Sequence, residues 1–232
     1  MIPLRDINPT ERFAVITFCL ILLNSAVFVF QLTLGERAGQ LFVEAFALVP
    51  ARLFASPSVT GAAIPVTATL VTSMFLHGGF LHIAGNMLYL WIFGNNVEDA
   101  TGRIRFIFFY LLCGILAAYA HAYMNFSSVT PMIGASGAIS GVLGAYLLLY
   151  PRARVITLVF FGFYVRTVEM PAMFVLGFWF VLQFLSALVS SGGSGGVAWY
   201  AHVVGFIAGM LLIGLFKRKT VPFGGGRGFS QV

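Results

Sequence analysis

Residues 134–150 read GASGAISGVLGAYLLLY, and Pro151, Arg152 and Arg154 follow at once. The run from Ser136 to Tyr150 is uncharged, so in a bilayer it can satisfy its backbone only as a helix. Its 15 residues reach roughly 22 Å at 1.5 Å per residue, short of a hydrocarbon core about 30 Å thick. Pro151 cannot continue the helix, and the two arginines mark an interface, so that end is fixed at a membrane surface. The other end, at Ser136, therefore starts about 8 Å inside the hydrocarbon. The preceding connection, NFSSVTPMIGA at 125–135, must dip into the protein. Irregular backbone at that depth survives only when it is buried in protein or lines a wet cavity.

The rest of the chain agrees with a membrane location. Of 232 residues, 59% are hydrophobic and only 9% charged, against about 25% charged in soluble domains. Six apolar segments are expected as spans, at 13–34, 80–97, 104–124, 136–150, 170–190 and 199–216. The organisation is a short N-terminal segment (1–12), an all-α, six-helix polytopic membrane domain (13–216) and a basic, flexible tail (217–232). The first apolar run, from Phe13, is too long for a signal peptide core and should remain as an anchor. Cys19 and Cys113 lie within apolar runs and read as small packing residues.

The formal charge of +6 reflects topology and contact with the lipid bilayer, and argues against nucleic acid as a partner. With a cytoplasmic N-terminus, eleven basic residues (Arg5, Arg12, Arg103, Arg105, Arg152, Arg154, Arg166, Lys217, Arg218, Lys219 and Arg227) face inward and two (Arg37 and Arg52) face outward. Both termini are then cytoplasmic, and the second, fourth and sixth segments run from outside to inside.

That orientation puts four polar residues at one depth near the outer surface: His82, Asn86, Ser136 and His202. Polar groups in hydrocarbon are costly unless paired, and so mark a functional site. Ser136 lies between Gly134 and Gly137 at a helix N-terminus, where free N–H groups and the helix dipole suit a developing oxyanion. It also reads as a cap in a small-residue packing stripe with Gly137, Ser140, Gly141 and Gly144. His202 shares a helical face with Gly205 and Gly209, a face that can press on the Ser136 helix and bring the imidazole to the hydroxyl as general base. Alone, such a histidine could equally bond a backbone carbonyl. His82 and Asn86, spaced i, i+4, can aim N–H groups at one oxygen or simply join helices. With no acid expected within any span, the chemistry on offer is a Ser–His dyad for acyl transfer. A metal site lacks a third ligand; His121 has no partner spacing, and His77 reads as a structural hydrogen-bonding residue at the entry to the second span.

Together GASG around Ser136, AHVVGFIAG at 201–209 and FLHGGFLHIAGNM at 75–87 resemble the rhomboid family of intramembrane serine proteases. The likeness covers roughly residues 75–216 and is to the six-span bacterial form. It implies Ser136 as nucleophile, His202 as general base, and His82, Asn86 and the Ser136 backbone N–H as oxyanion donors. It implies no cofactor or metal. The substrates would be transmembrane proteins, cut in or near their helices, by an enzyme of the bacterial inner membrane with its site toward the outer side. A non-catalytic rhomboid-like protein that escorts membrane clients is the alternative; oligomeric state is left open. Many family members carry an aromatic residue one turn after the serine, where this chain has Ser140, and a Trp-Arg pair in the first outer loop, which this chain lacks. The aromatic fifth segment (Phe174, Phe178, Trp179, Phe180) is expected to move and admit substrate laterally, with the Gly/Ser loop at 190–196 as its cap.

Overall fold

The structure is a computed structural model that describes residues 1–55, 64–162, 164–189 and 198–225. Among these, nine helices and three strands follow in the order β1 (Ile2–Ile7), α1 (Val15–Thr33), α2 (Glu36–Phe46), α3 (Pro50–Phe54), α4 (Thr69–Thr72), α5 (Phe80–Thr101), α6 (Arg103–Met124), α7 (Ser136–Leu149), β2 (Arg154–Phe161), β3 (Tyr164–Pro171), α8 (Ala172–Val189) and α9 (Trp199–Phe216). Helices α1, α6, α8 and α9 are long and apolar enough to cross a bilayer. Helix α5 joins them if the segment Val66–Phe75 ahead of it, bent 83° from it, is counted with it as one span. Helix α7 is apolar but only 14 residues long. All six expected segments are thus helical, in a polytopic membrane bundle, and by length and composition four or five of them are spans. The proposed cap at 190–196 lies outside the described residues.

Helix α7 sits at the centre. Eleven of its 14 residues are buried, and α5, α6 and α9 surround it. A helix walled by neighbours needs no polar face, which is why 136–149 is apolar or small all round. Its closest neighbour is α9. A Cβ on Gly209 would collide with the Gly141 carbonyl, one on Gly205 with the Gly137 carbonyl, and one on Gly144 with the Phe206 carbonyl. The two backbones therefore touch directly, a contact that dispersion and close approach stabilise where lipid offers no hydrophobic drive. On the other side of α7, Cys113 of α6 fills the space over Gly141, so this thiol is a packing residue as expected.

The end of the bundle that carries the α7 C-terminus departs from the sequence expectation in three ways. First, a three-stranded antiparallel sheet, in the order β1-β2-β3, closes it. Its strands lie in the N-terminal segment (1–12) and between the expected fourth and fifth spans, with β3 reaching Pro171 at the start of the latter. The β-branched run VIT at 155–157 carried a strand signal, and Val155 and Thr157 are fully buried. Second, α5 continues past residue 97 to Thr101, so Glu98 and Asp99, expected beyond the span, are helical and buried. Glu98 has a reason to be there. Its carboxylate accepts from the N–H groups of Ile16 (3.0 Å) and Thr17 (2.7 Å) and from the Thr17 hydroxyl (2.8 Å). It caps α1 from a different helix, at the positive end of the α1 dipole, where Ala14 offers no side-chain cap. Third, the start of the basic tail is not loose. The Arg218 N–H donates to the Ala100 carbonyl (2.8 Å), its guanidinium bonds Asp99, Val221 is buried, and the Gly224 N–H donates to the Leu148 carbonyl (3.0 Å).

The sheet is locked to the bundle by one long-range bond, from the Tyr146 hydroxyl of α7 to Asp6 of β1 at 2.7 Å. Burial pushes the Asp6 carboxyl up from 3.8 to about 6, against the opposing pull of that bond. An acid raised in this way binds its proton more tightly in the folded chain. Its contribution to stability is full below the unfolded value and is lost as pH rises through about 6. Asp6→Asn should therefore raise the thermal midpoint at pH 7.5, by the equivalent of about 1–2 kcal/mol after solvent screening, and leave it unchanged near pH 3.5. Melting curves at the two pH values check this. For the helix contact, Gly209→Val should cost about 1–3 kcal/mol through overpacking. Gly177→Ala, with open space around it, should be neutral in the same melting assay.

Candidate active site

At the bundle end opposite the sheet, the N-termini of α5, α7 and α9 meet. Ser136 is the first residue of α7, and its N–H and those of Gly137 and Ala138 precede the first intrahelical bond, from Ile139 to Ala135. The direct α7–α9 contact sets Ala201 against Gly137 and brings the Ser136 Oγ within 2.8 Å of His202 Nε2. Two residues 66 positions apart in the chain thus form a hydrogen-bonded pair.

The second ring nitrogen settles the direction of that bond. His202 Nδ1 lies 2.6 Å from Gln183 Oε1 of α8. An amide oxygen only accepts, so Nδ1 carries the proton and Nε2 presents its lone pair to the serine hydroxyl. This is the tautomer a general base needs. Two indoles hold the ring: Trp179 of α8 with centroids 6.0 Å away, and Trp199 edge-on at 6.1 Å. Ser140 takes no part in orienting His202; its hydroxyl donates to the Ser136 carbonyl at 2.6 Å. Sequence reasoning missed Gln183. The signal was available, because an amide inside the apolar run FVLQFL at 180–185 meets the same criterion that picks out Asn86.

His82 and Asn86 converge beside the serine, around Gly134. That glycine has φ +119°, a region L side chains rarely adopt, and a Cβ on it would stand 2.6 Å from His82 Nε2 and 3.7 Å from Asn86 Nδ2. The absent side chain lets the His82 imidazole lie directly against the Gly134 backbone, with Asn86 Nδ2 close by, two residues from Ser136. His82 Nδ1 accepts the Gly78 N–H at 3.4 Å, which leaves its proton on Nε2, on the side of Gly134. Asn86 Nδ2 donates one hydrogen to His77 Nε2 at 3.0 Å and keeps its second. His77, read from sequence as a structural hydrogen-bonding residue, fixes Asn86. It is itself clamped by Gln31 of α1, which accepts from the His77 N–H (3.1 Å) and donates to its carbonyl (3.3 Å).

The loop entering α7 is buried over its second half, as the helix length demanded. Leu48 and Met132 exchange two backbone bonds of 3.1 and 2.7 Å, and the Gly134 N–H donates to the Ser73 carbonyl at 2.8 Å. Residues between α1 and α5 therefore hold the serine's own loop. Among the described residues, no group of three His, Cys, Asp or Glu side chains is placed to hold a metal. Both buried acids of α5 are at the far end of the bundle. The arrangement holds the Ser136 hydroxyl against a ring nitrogen able to accept its proton, with the His82 and Asn86 nitrogens gathered at Gly134.

Comparison with known proteins follows the same elements. A family model for the rhomboid domain matches residues 66–219. Similar proteins include Rhomboid protein 1, mitochondrial, of Saccharomyces cerevisiae, 33% identical over 96 residues, which are 40% of this chain and 28% of that protein. Rhomboid protease GluP of Bacillus subtilis is 45% identical over 78 residues, 34% of this chain and 15% of that protein. RHOMBOID-like protein 6, mitochondrial, of Arabidopsis thaliana is 38% identical over 78 residues, 34% of this chain and 25% of that protein. These matches span between 15 and 28% of the relatives' own lengths. The matched region runs from the turn ahead of α5 to just beyond α9 and holds every residue of the Ser–His site, and the chain belongs to the rhomboid family.

Proposed function

We propose that this protein is an intramembrane serine endopeptidase that hydrolyses peptide bonds in or near the transmembrane helices of membrane-anchored proteins. The observation that carries the reading is the 2.8 Å contact between Ser136 Oγ and His202 Nε2, with Nδ1 committed to Gln183. A rhomboid relative named as a protease, GluP, supports it.

The steps follow from the geometry. Ser136 Oγ attacks the scissile carbonyl carbon while His202 Nε2 accepts its proton. The carbonyl oxygen becomes an oxyanion beside Gly134, held by N–H donors from His82 Nε2, Asn86 Nδ2 and the Ser136 backbone. Collapse breaks the C–N bond, and the imidazolium returns the proton to the leaving amine. Water then attacks the acyl-enzyme with His202 again as base, releasing the acid and restoring Ser136. In this account α7 is a sixth, short span that starts below the membrane surface so that the ester forms inside the protein yet within reach of water. We read both termini as cytoplasmic and the site as facing the outer side of a bacterial inner membrane; the bias of Lys and Arg supports that orientation.

Cleavage of a generic transmembrane substrate by purified protein tests the proposal. Ser136→Ala and His202→Ala should each lower kcat by at least about a thousandfold. His82→Ala and Asn86→Ala should each lower it by about a hundredfold with little change in KM, because they act on the oxyanion. Gly134→Ala should be comparably damaging, since the new methyl group would displace the His82 imidazole and alanine disfavours φ +119°. Full biological effect from Ser136→Ala would instead point to a protein that binds or escorts membrane clients without cutting them.

A further inference from the structure

Helix α8 performs two tasks at once. It forms a wall of the site, and it carries the only hydrogen-bond partner that the described residues give His202 Nδ1. We propose that Gln183 is a positioning residue that makes the base conditional on α8: when α8 leans away from α9, the Gln183–His202 bond breaks and the site is disarmed until the helix returns. The inference rests on the protease reading above.

The way α8 is anchored supports this. At its start, the Ala172 N–H donates to the Ala153 carbonyl (2.8 Å), the Met173 N–H donates to the Pro151 carbonyl (2.9 Å), and Val175 and Leu176 are buried. This end is tied to the sheet side of the bundle. Beyond Leu176, Ala187 is the one buried residue of α8, and large apolar side chains such as Phe178, Leu182, Phe184 and Leu188 are exposed. The upper half is held to α9 by Phe180 on Phe206 (centroids 4.7 Å), Trp179 on Phe206 (6.0 Å) and the Gln183–His202 bond. A helix tied in this way has its pivot at its base if it leans. Gln183 lies about 16 Å along the axis from Ala172, so a lean of about 10° carries its amide about 3 Å. A hydrogen bond does not survive that displacement. Trp179 leaves with it, so the imidazole loses a flanking ring and its acceptor together.

The consequence differs in sign from that of a simple door. If α8 only blocked the entrance, loosening it would speed any small reagent toward Ser136. If α8 also arms the base, loosening it slows that reagent. The full-length protein in detergent micelles, labelled at Ser136 with a small fluorophosphonate and assayed in parallel on a transmembrane substrate, separates the two. Gln183→Met keeps the size but removes the acceptor; it should lower labelling rate and kcat about tenfold or more and leave KM within about twofold. Gln183→Glu restores an acceptor and should label at close to the wild-type rate. Phe180→Ala releases α8 without touching His202 and should also lower labelling, by about threefold or more given the lost ring contact. Gln183→Met at the wild-type rate, Gln183→Glu as slow as Gln183→Met, or Phe180→Ala as fast as wild type or faster would each overturn the coupling. Wild-type protein that takes no label, or Ser136→Ala that labels equally well, would instead overturn the Ser–His reading beneath it.

Discussion

The direct contact between α7 and α9 is the constraint on which the rest depends. Glycines at 141, 144, 205 and 209 let carbonyls of one helix lie where side chains of the other would otherwise stand. In water such an interface would be weak, since it buries little apolar area. In a bilayer the comparison is with lipid tails, and close van der Waals approach between backbones is what distinguishes protein from solvent. The same approach fixes a distance. With the two helix axes drawn together, side chains at their N-termini can reach one another across a single hydrogen bond, and Ser136 meets His202. Packing and chemistry are here one feature of the sequence, read twice.

Around that contact the polar groups are arranged in two short chains that do not cross. One runs from Gln183 through His202 to Ser136. The other runs from Gln31 through His77 to Asn86. They end at Ser136 and at Asn86, on either side of Gly134 in the chain, and each begins on a helix at the rim of the bundle, α8 in one case and α1 in the other. Amides stand where a carboxylate could have been used. A buried carboxylate would need desolvating and would make the site dependent on its charge, whereas a neutral amide accepts or donates at lower cost in apolar surroundings. The two carboxylates buried in α5, Glu98 and Asp99, lie at the other end, where helix N-termini and Arg218 compensate them.

Much of this was legible in the sequence because hydrocarbon leaves few options. Apolar runs had to be helices, and the shortness of 136–150 pointed to an entry loop held by protein, as its end at Met132, Gly134 and Ala135 is. The i, i+4 spacing of His82 and Asn86 and the Gly205/Gly209 face of α9 pointed to side chains that the structure brings together. What escaped was governed by contacts between distant residues. Glu98 looked like a residue past the end of a span because its partners, the N–H groups of Ile16 and Thr17, are 82 and 81 positions away. The sheet escaped because β1 finds its partner strand some 150 residues downstream, and neither strand alternates cleanly enough to announce a buried face. Gln183 was the one site residue legible by the rule already in use, an isolated amide in an apolar helix. Ser140 stands where many family members have an aromatic residue, and the group bonded to His202 Nδ1 sits on α8.

The account turns on a single proton: it requires a neutral His202 protonated at Nδ1, with the Nε2 lone pair directed at Ser136. Nitrogen NMR of protein labelled at histidine, assigned through His202→Ala, reads this directly. The account predicts a protonated Nδ1 resonance and an unprotonated Nε2 resonance for His202, the latter moving when Ser136 is replaced by alanine. A proton on Nε2, or an Nε2 signal indifferent to Ser136→Ala, would contradict it.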